Sequence, residues 1–380
     1  MIYLDNSATT KPCQAALFAM RDALETDWFN PSAAYGPAVR AEKKMTQARK
    51  TLLDAAGAQN AELTFTGSGS EADSLAILGS AERFHGVRRV LLFGGEHPAV
   101  LNTRAQLERL GHTVEVFPAR RDGVADLEKL AAMLDENVGL VSCMQVNNET
   151  GAIQPLAEIA RLRRELAPNA HFHVDGVQGF LRVPFDMAAL QADTYALSGH
   201  KIHGPKGIGA LVCAPGVKLH PRAVGGGQEG ALRSGTENTP GVAGLLAAIR
   251  NFPRENDLRA VKLRLWACLK AAIPQASVNG PAPDSPQAAP YILNVSLPPV
   301  RSETMLHALE GEGIYVGMGS ACSSHKQKVS PVLQAMHTPR PLAESALRFS
   351  LCPENTAEEM ERVAAACLRQ YQILSKYQRR

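Results

Sequence analysis

DTYALSGHKIHGPKGIGALVC, residues 193–213, holds two short apolar runs, TYALS and IGALVC, around a polar segment rich in glycine and proline. Runs of this length bounded by glycine read as buried strands, and the segment between them reads as a tight connection. Lys201 sits in that connection. A lysine there is costly unless it is paired, neutral or covalently occupied. The alternative is a surface turn in which Lys201 and Lys206 are simply solvated.

Working outward on the amino-terminal side, ELTFTG, RRVLLFGG, HTVEVFP, VGLVSCMQV and AHFHVDG are further strand candidates, separated by helically spaced stretches such as SEADSLAILGSAERF and LAEIARLRRELA. Alternation of strand and helix predicts an α/β unit, a mainly parallel seven-stranded sheet covered by helices. On the carboxyl side, AVGGGQEGALRSGTENT breaks the alternation and reads as a functional loop, because it mixes charged side chains with its glycines. Helices are expected over 238–272. Strands near YILNVSL, IYVGM and ALRFSL and a last helix, TAEEMERVAAACLRQYQILSKY, predict a smaller α+β unit. The expected division is a large domain at 13–255 and a small one made of 1–12 with 256–380.

The 380 residues include 40 basic and 37 acidic side chains, a formal charge of +3 spread along the chain. There is no polybasic footprint for nucleic acid or a membrane surface; only the terminal SKYQRR is locally basic. Seven scattered cysteines without a C-x-x-C pair exclude a disulfide framework and a zinc site, which predicts no metal and a reducing, cytoplasmic setting. The start, MIYLDNSATT, lacks a basic segment leading into an apolar one, and no run has the length of a membrane span.

Four predicted strand ends carry chemistry. TFTGSGSEADSLAI runs from a strand through a glycine-serine turn into a helix, so amides and the helix dipole converge on an anion, most naturally a phosphate. Gly69 permits close backbone approach, and Ser70 can cap the helix or meet a phosphate oxygen. Gly67, Gly69 and Ala72 also satisfy a dinucleotide fingerprint, with Glu96 as ribose acceptor, and the pattern by itself leaves both readings open. HFHVDGVQ ends a buried strand on Asp175, with Gln178 three residues on. GGEHPAVL puts His97 after a strand and before Pro98, and QVNNETG offers Asn147 and Asn148, which are equally turn formers.

A phosphate cradle, an aromatic heterocycle, a carboxylate and a lysine meet the demands of pyridoxal 5'-phosphate (PLP): an anion site, a surface for its ring, an acid for its pyridine nitrogen and an amine for its aldehyde. A dinucleotide leaves Lys201 and Asp175 without roles. A further candidate is YVGMGSACSSHKQKVS, where Cys322 lies among small residues with His325 and Lys326 nearby, a setting that favours an accessible thiolate.

Taken together, YLDNSATT, NPS at 30–32, VNNETG, HVDGVQ, SGHKIHGPKGIGAL, GGGQE with RSGTENT, GSACSS and LRFSL resemble the NifS/IscS-type cysteine desulfurases of the class V aminotransferase group, over nearly the whole chain. The resemblance implies a PLP-dependent transferase of fold type I, a homodimer that converts L-cysteine to L-alanine and leaves a persulfide on Cys322. It implies that Lys201 holds the cofactor, Asp175 pairs with the pyridine nitrogen and His97 stacks on the ring. Gln178 and Asn148 approach the phenolic oxygen and the substrate. Gly69, Ser70, Ser198 and His200 bind the phosphate, with Thr236 reaching across from the neighbouring subunit, and Arg348 takes the substrate carboxylate. Selenocysteine lyases and aminotransferases of the same fold share this frame. Tyr35, Ser74 and Gly317-Met318 depart from the usual pattern without removing a catalytic group. The end at Arg380 lacks the longer extension of housekeeping members. The expectation drawn from it is a dedicated sulfur-acceptor protein, such as a tRNA-thiolation enzyme, rather than service to every sulfur pathway, with the iron-sulfur scaffold as the other acceptor the resemblance implies.

Overall fold

The chain is described here from a computed structural model, over residues 1–253, 257–319 and 329–377. A short strand, β1 (Ile2–Leu4), precedes the helices α1 (Gln14–Glu25) and α2 (Gly36–Ala55). The central sheet then takes β2 (Glu62–Thr66), β3 (Arg89–Phe93), β4 (Thr113–Phe117), β5 (Val138–Ser142), β6 (His171–Asp175), β7 (Thr194–Ser198) and β8 (Gly209–Cys213). Their order is β2-β8-β7-β6-β5-β3-β4. Only β8 runs antiparallel to its neighbours. The sheet is therefore the mainly parallel, seven-stranded one that the alternation predicts.

Helices on both faces explain why the inner strands read as continuous apolar runs: β5, β7 and β8 are buried along their whole length. The edge strand β4 keeps two exposed positions, Thr113 and Val116, whereas the other edge strand, β2, keeps one, Glu62. Because β2, β3, β5, β6 and β7 run the same way, their carboxyl ends fall on one edge, the place where open α/β sheets bind ligands.

A second core is built from Ile2 and Leu4 together with side chains between Leu258 and Cys367, and Val146 joins it from the central part of the chain. Here β9 (Ser277–Val278), β10 (Ile292–Ser296), β11 (Ile314–Val316) and β12 (Ala346–Ser350) make two small sheets, β12-β10-β9 and β1-β11. The two are stitched together by single bridges, Asp5 to Ser350 and Gly317 to Arg348. Strand β1 and helices α1 and α2 were not among the expected elements. Three residues are too few for a periodic signal, and β1 exists because β11, over 300 residues away, offers it a parallel partner.

One glycine is demanded by this packing. A Cβ at Gly176 would lie 2.0 Å from the ring of Tyr195, which is itself held between Phe185, stacked at 4.1 Å, and the Gln145 amide that accepts its hydroxyl at 2.9 Å. The turn after Asp175 can pass over that ring only without a side chain.

Candidate active site

At the carboxyl edge of the sheet lies a cavity of about 230 Å³. It is lined by Ser68, Gly69, Ser70, His97, Asn148, Asp175, Gln178, Ser198, His200, Lys201 and Arg348, with Ser7, Ala8, Asp73, Met144 and Val177. Every sequence candidate for the cofactor and substrate, apart from Thr236, is thus brought to one place. Thr236 is exposed and outside this cavity. Cys322, with His325 and Lys326, lies outside the described residues.

Lys201 closes a single 3-10 turn, Gly199–Lys201, directly after β7. Its amine donates to the carbonyls of Ser7 at 2.6 Å and Ala8 at 2.8 Å. Burial, then the positive charges of Arg348 and Arg182, lower its pKa from 10.5 to about 7 against the pull of Asp5 and Asp175. The question raised by a lysine in this connection therefore has a physical answer: it is half-buried, paired only with neutral carbonyls, and holds its proton far less tightly than an ordinary lysine. Lys206, by contrast, is exposed, as a solvated turn residue should be.

The anion end is the start of helix α3 (Gly69–Ala81). Its cap is Ser68, whose hydroxyl accepts from the Glu71 amide at 3.1 Å, and not Ser70, whose side chain is left to the cavity. Gly69 is glycine for a reason the sequence did not show. A Cβ there would stand 2.5 Å from Val177, so the missing side chain lets α3 close on the turn after β6. His200 turns Nδ1 toward Thr9 Oγ1 at 3.2 Å, and burial with the charges of Lys201, Lys206 and Arg182 lowers its pKa to about 4. Near neutral pH it meets an anion as a neutral ring.

Asp175 ends β6 and is buried. Burial raises its pKa, opposed by His97, by the Val177 amide that donates to Oδ1 at 2.9 Å, and by Lys201. His97 caps the helix Pro98–Leu101, its Nδ1 accepting from the Ala99 amide at 3.1 Å, so the ring proton sits on Nε2. Burial lowers its pKa, and the ring is neutral above the usual histidine range. Gln178 is held by its amide to the Ser7 carbonyl at 2.9 Å. Asn147 and Asn148 divide the labour left open above. Asn147 Oδ1 accepts from the amides of Glu149 and Thr150 and from the Thr150 hydroxyl, which makes it the turn former, whereas Asn148 faces the cavity.

Glu96 does not serve as a ribose acceptor. It is buried away from the cavity, takes the Ser142 hydroxyl at 2.6 Å, and has its pKa pushed well up by burial and then by Asp175. That removes the dinucleotide alternative.

Several residues of the site lay inside motifs of the sequence that gave them no role of their own. The amino-terminal segment Asp5–Lys11 wraps the lysine turn: Thr10 Oγ1 donates to the His200 carbonyl at 3.0 Å and accepts from the His203 amide at 2.8 Å. Asp73 is buried under Asp175, its carboxyl 3.2 Å from His173 Nε2, and His173 and His171 both reach Thr194 Oγ1, at 3.0 and 2.8 Å. His173 lies two residues before Asp175 on β6 and therefore on the same face of the sheet.

Burial depresses the pKa of His173 to about 3 and of His171 to about 4, so folding holds both neutral. The unfolded chain binds the extra protons below about 6.5, so their contribution to stability is full above that pH and is lost progressively as pH falls toward 3; Asp73, raised by burial, acts in the opposite sense. We expect His173→Asn to shrink the fall in Tm between pH 7 and pH 5 by about 2–4 °C. Calorimetry at the two pH values checks this, and an unchanged difference would remove His173 from the acid response.

The residues present fit PLP. Two buried polar atoms of residues that line the cavity, Ser7 Oγ and Arg348 Nε, have no hydrogen-bond partner among the described residues, and the cavity joins a helix start, a buried acid and a lysine of lowered pKa. Ser70, Ser198, His200, Asp175 and Lys201 all line this one cavity.

The aminotransferase class-V family profile matches residues 2–363, and the chain belongs to that family. Membership implies PLP as the cofactor. A NifS/IcsS protein homolog of Lactobacillus delbrueckii subsp. bulgaricus is 38% identical, the match covering 99% of this chain and 98% of the relative. A cysteine desulfurase of Nostoc sp. is 38% identical over 96% of this chain and 91% of its own length. Among solved structures, a NifS-like protein superposes with a TM-score of 0.90 at 33% identity, covering 99% of this chain and 100% of that one. Among the described residues no helix is long and apolar enough to cross a membrane.

Proposed function

We propose that the chain is a PLP-dependent cysteine desulfurase that releases L-alanine from L-cysteine and passes the sulfur first to Cys322 and then to an acceptor protein. The single observation that carries the reading is Lys201. A lysine whose pKa is lowered to about 7 shares one cavity with a buried acid, Asp175, and a buried arginine, Arg348, in a chain whose full-length relatives bear that name.

When bound, PLP supplies an electron sink for the carbanion left at the substrate Cα. Lys201 would hold the cofactor through Nζ, and the same Nζ, as a free amine, would take the Cα proton. Asp175 would keep the pyridine nitrogen protonated, His97 would offer its ring to the cofactor, and Gln178 and Asn148 would meet its phenolic oxygen and the substrate. Gly69, Ser70, Ser198 and His200 anchor the phosphate, and Arg348 takes the substrate carboxylate through its planar fork. The Cys322 thiolate attacks the substrate sulfur; the S–Cβ bond breaks with its electron pair passing to Cβ, which takes the proton given up by the substrate thiol, Cα takes back the proton held on Lys201 Nζ to give alanine, and Cys322 keeps the sulfur as a persulfide.

Thr236 completes the phosphate site of a second copy, in a homodimer. The exposed Leu17, Phe18, Leu24 and Trp28 around α1 are the apolar surface such an assembly would cover. We also read the chain as a large domain, 13–255, and a small one, 1–12 with 256–380, since the second core joins those segments. The acceptor is an iron-sulfur or tRNA-thiolation protein.

The test is product analysis. Purified protein with PLP, L-cysteine and dithiothreitol is expected to give alanine and sulfide in equal amounts. Without reductant, the peptide carrying Cys322 should gain the mass of one sulfur atom. Accumulation of a keto acid in place of alanine would identify an aminotransferase instead.

A further inference from the structure

Arg348 is 2% exposed, and its guanidinium is divided among three settings. Nη1 donates to the Asn148 carbonyl at 2.9 Å, Nη2 is 2.6 Å from Asp5 Oδ1, and Nε has no partner. A carboxylate binds arginine best along one edge, through two parallel hydrogen bonds. With Nη1 taken by a carbonyl, the edge left is Nε with Nη2, and Asp5 already stands at one end of it.

The contact is permitted by the residue opposite. A Cβ at Gly317 would lie 2.6 Å from Asp5 Oδ1, 2.8 Å from Arg348 Nη2 and 3.0 Å from Nε. The backbone cannot retreat to make room. Gly317 and Arg348 exchange both backbone hydrogen bonds, at 2.9 and 2.7 Å, and Asp5 is bridged to Ser350 on the same strand, β12. Any side chain at 317 must therefore part the two, and Asp5, the more exposed partner at 22% against 2%, is the one free to swing away.

We propose that Asp5, in a contact that only glycine at 317 allows, is an internal counter-ion competing with the substrate for Arg348, and so sets how tightly an amino acid is bound. This deepens the reading of Arg348 given above and rests on it. Asp5 neutralises a buried cation while the site is empty of substrate. An incoming α-carboxylate must then share Nη2 with an acid a few ångströms away, and that repulsion weakens its binding. The pair is a positioning and specificity device, since it acts only on ligands that bring a carboxylate.

The test uses the holoenzyme and L-alanine, with ethylamine as the matching amine that lacks a carboxylate, each followed by the visible absorbance of bound PLP. Asp5→Asn keeps the shape and an acceptor but loses the charge, and is expected to tighten L-alanine binding about tenfold, the scale of one charge removed at this range. Ethylamine binding should stay within about twofold. In a Gly317→Ala background, where Asp5 is already displaced, Asp5→Asn should change L-alanine binding by no more than about twofold. Equal or weaker L-alanine binding by Asp5→Asn, or an equal shift for ethylamine, overturns the proposal. A holoenzyme that shows the expected binding pattern yet makes no alanine from L-cysteine would instead sink the desulfurase reading and leave this one standing.

Discussion

Lys201→Ala abolishes alanine release from L-cysteine, a loss of about 10⁴-fold, the upper range for a positioned proton-transfer group. The reason lies in what holds the amine. Ser7 and Ala8 offer it only carbonyl oxygens, at 2.6 and 2.8 Å, so no carboxylate bonded to it stabilises the charged form. Burial and the cations Arg348 and Arg182 then bring its pKa to about 7. An amine in that state is both a nucleophile toward an aldehyde and a base toward a Cα proton. Lys201→Arg should fail to restore activity, because a guanidinium stays charged at any working pH. Alanine measured after incubation with excess PLP checks both variants, and turnover by either within about a hundredfold of the parent would remove Lys201 from proton transfer.

Asp175→Asn lowers the rate of alanine release on the order of 10²-fold, at saturating PLP and with the protein folded. Asparagine preserves the shape and the acceptor for the Val177 amide, so the turn after β6 keeps its hydrogen bond. What is lost is the negative charge at the floor of the cavity, held there despite burial by His97, the Val177 amide and Lys201. A cationic ring nitrogen would be left without its counter-charge, and the substrate carbanion would lose its electron sink. Burial, the largest cause of the raised pKa of both Asp73 and Glu96, persists in the variant, so neither takes over the missing charge. A variant as fast as the parent would place the cofactor's ring elsewhere.

Both predictions depend on residues that the sequence pointed out by type and position. Lys201 was legible because a cation between two apolar runs needs a reason, and Asp175 because it ends a strand with no exposed face. Asp5, Ser7, Ala8 and Asp73 were not legible. The partners the site gives them lie from 100 positions away, for Asp73 and His173, to 343, for Asp5 and Arg348, and no local period or turn rule reports a contact across that distance.

The order of strand and helix, the mainly parallel seven-stranded sheet and the carboxyl-edge location of the candidate residues were determined by the sequence itself. Continuous apolar runs are stable only when both faces of a sheet are covered, and parallel strands put their ends on one side. Tertiary structure alone decided the charge states and the division of roles. The Ser68 cap in place of Ser70, the turn-forming Asn147, the buried Glu96 and the amine of Lys201 near neutrality all follow from who is packed against whom. Desolvation and the nearest charge set a pKa, and both are properties of the folded neighbourhood rather than of the residue.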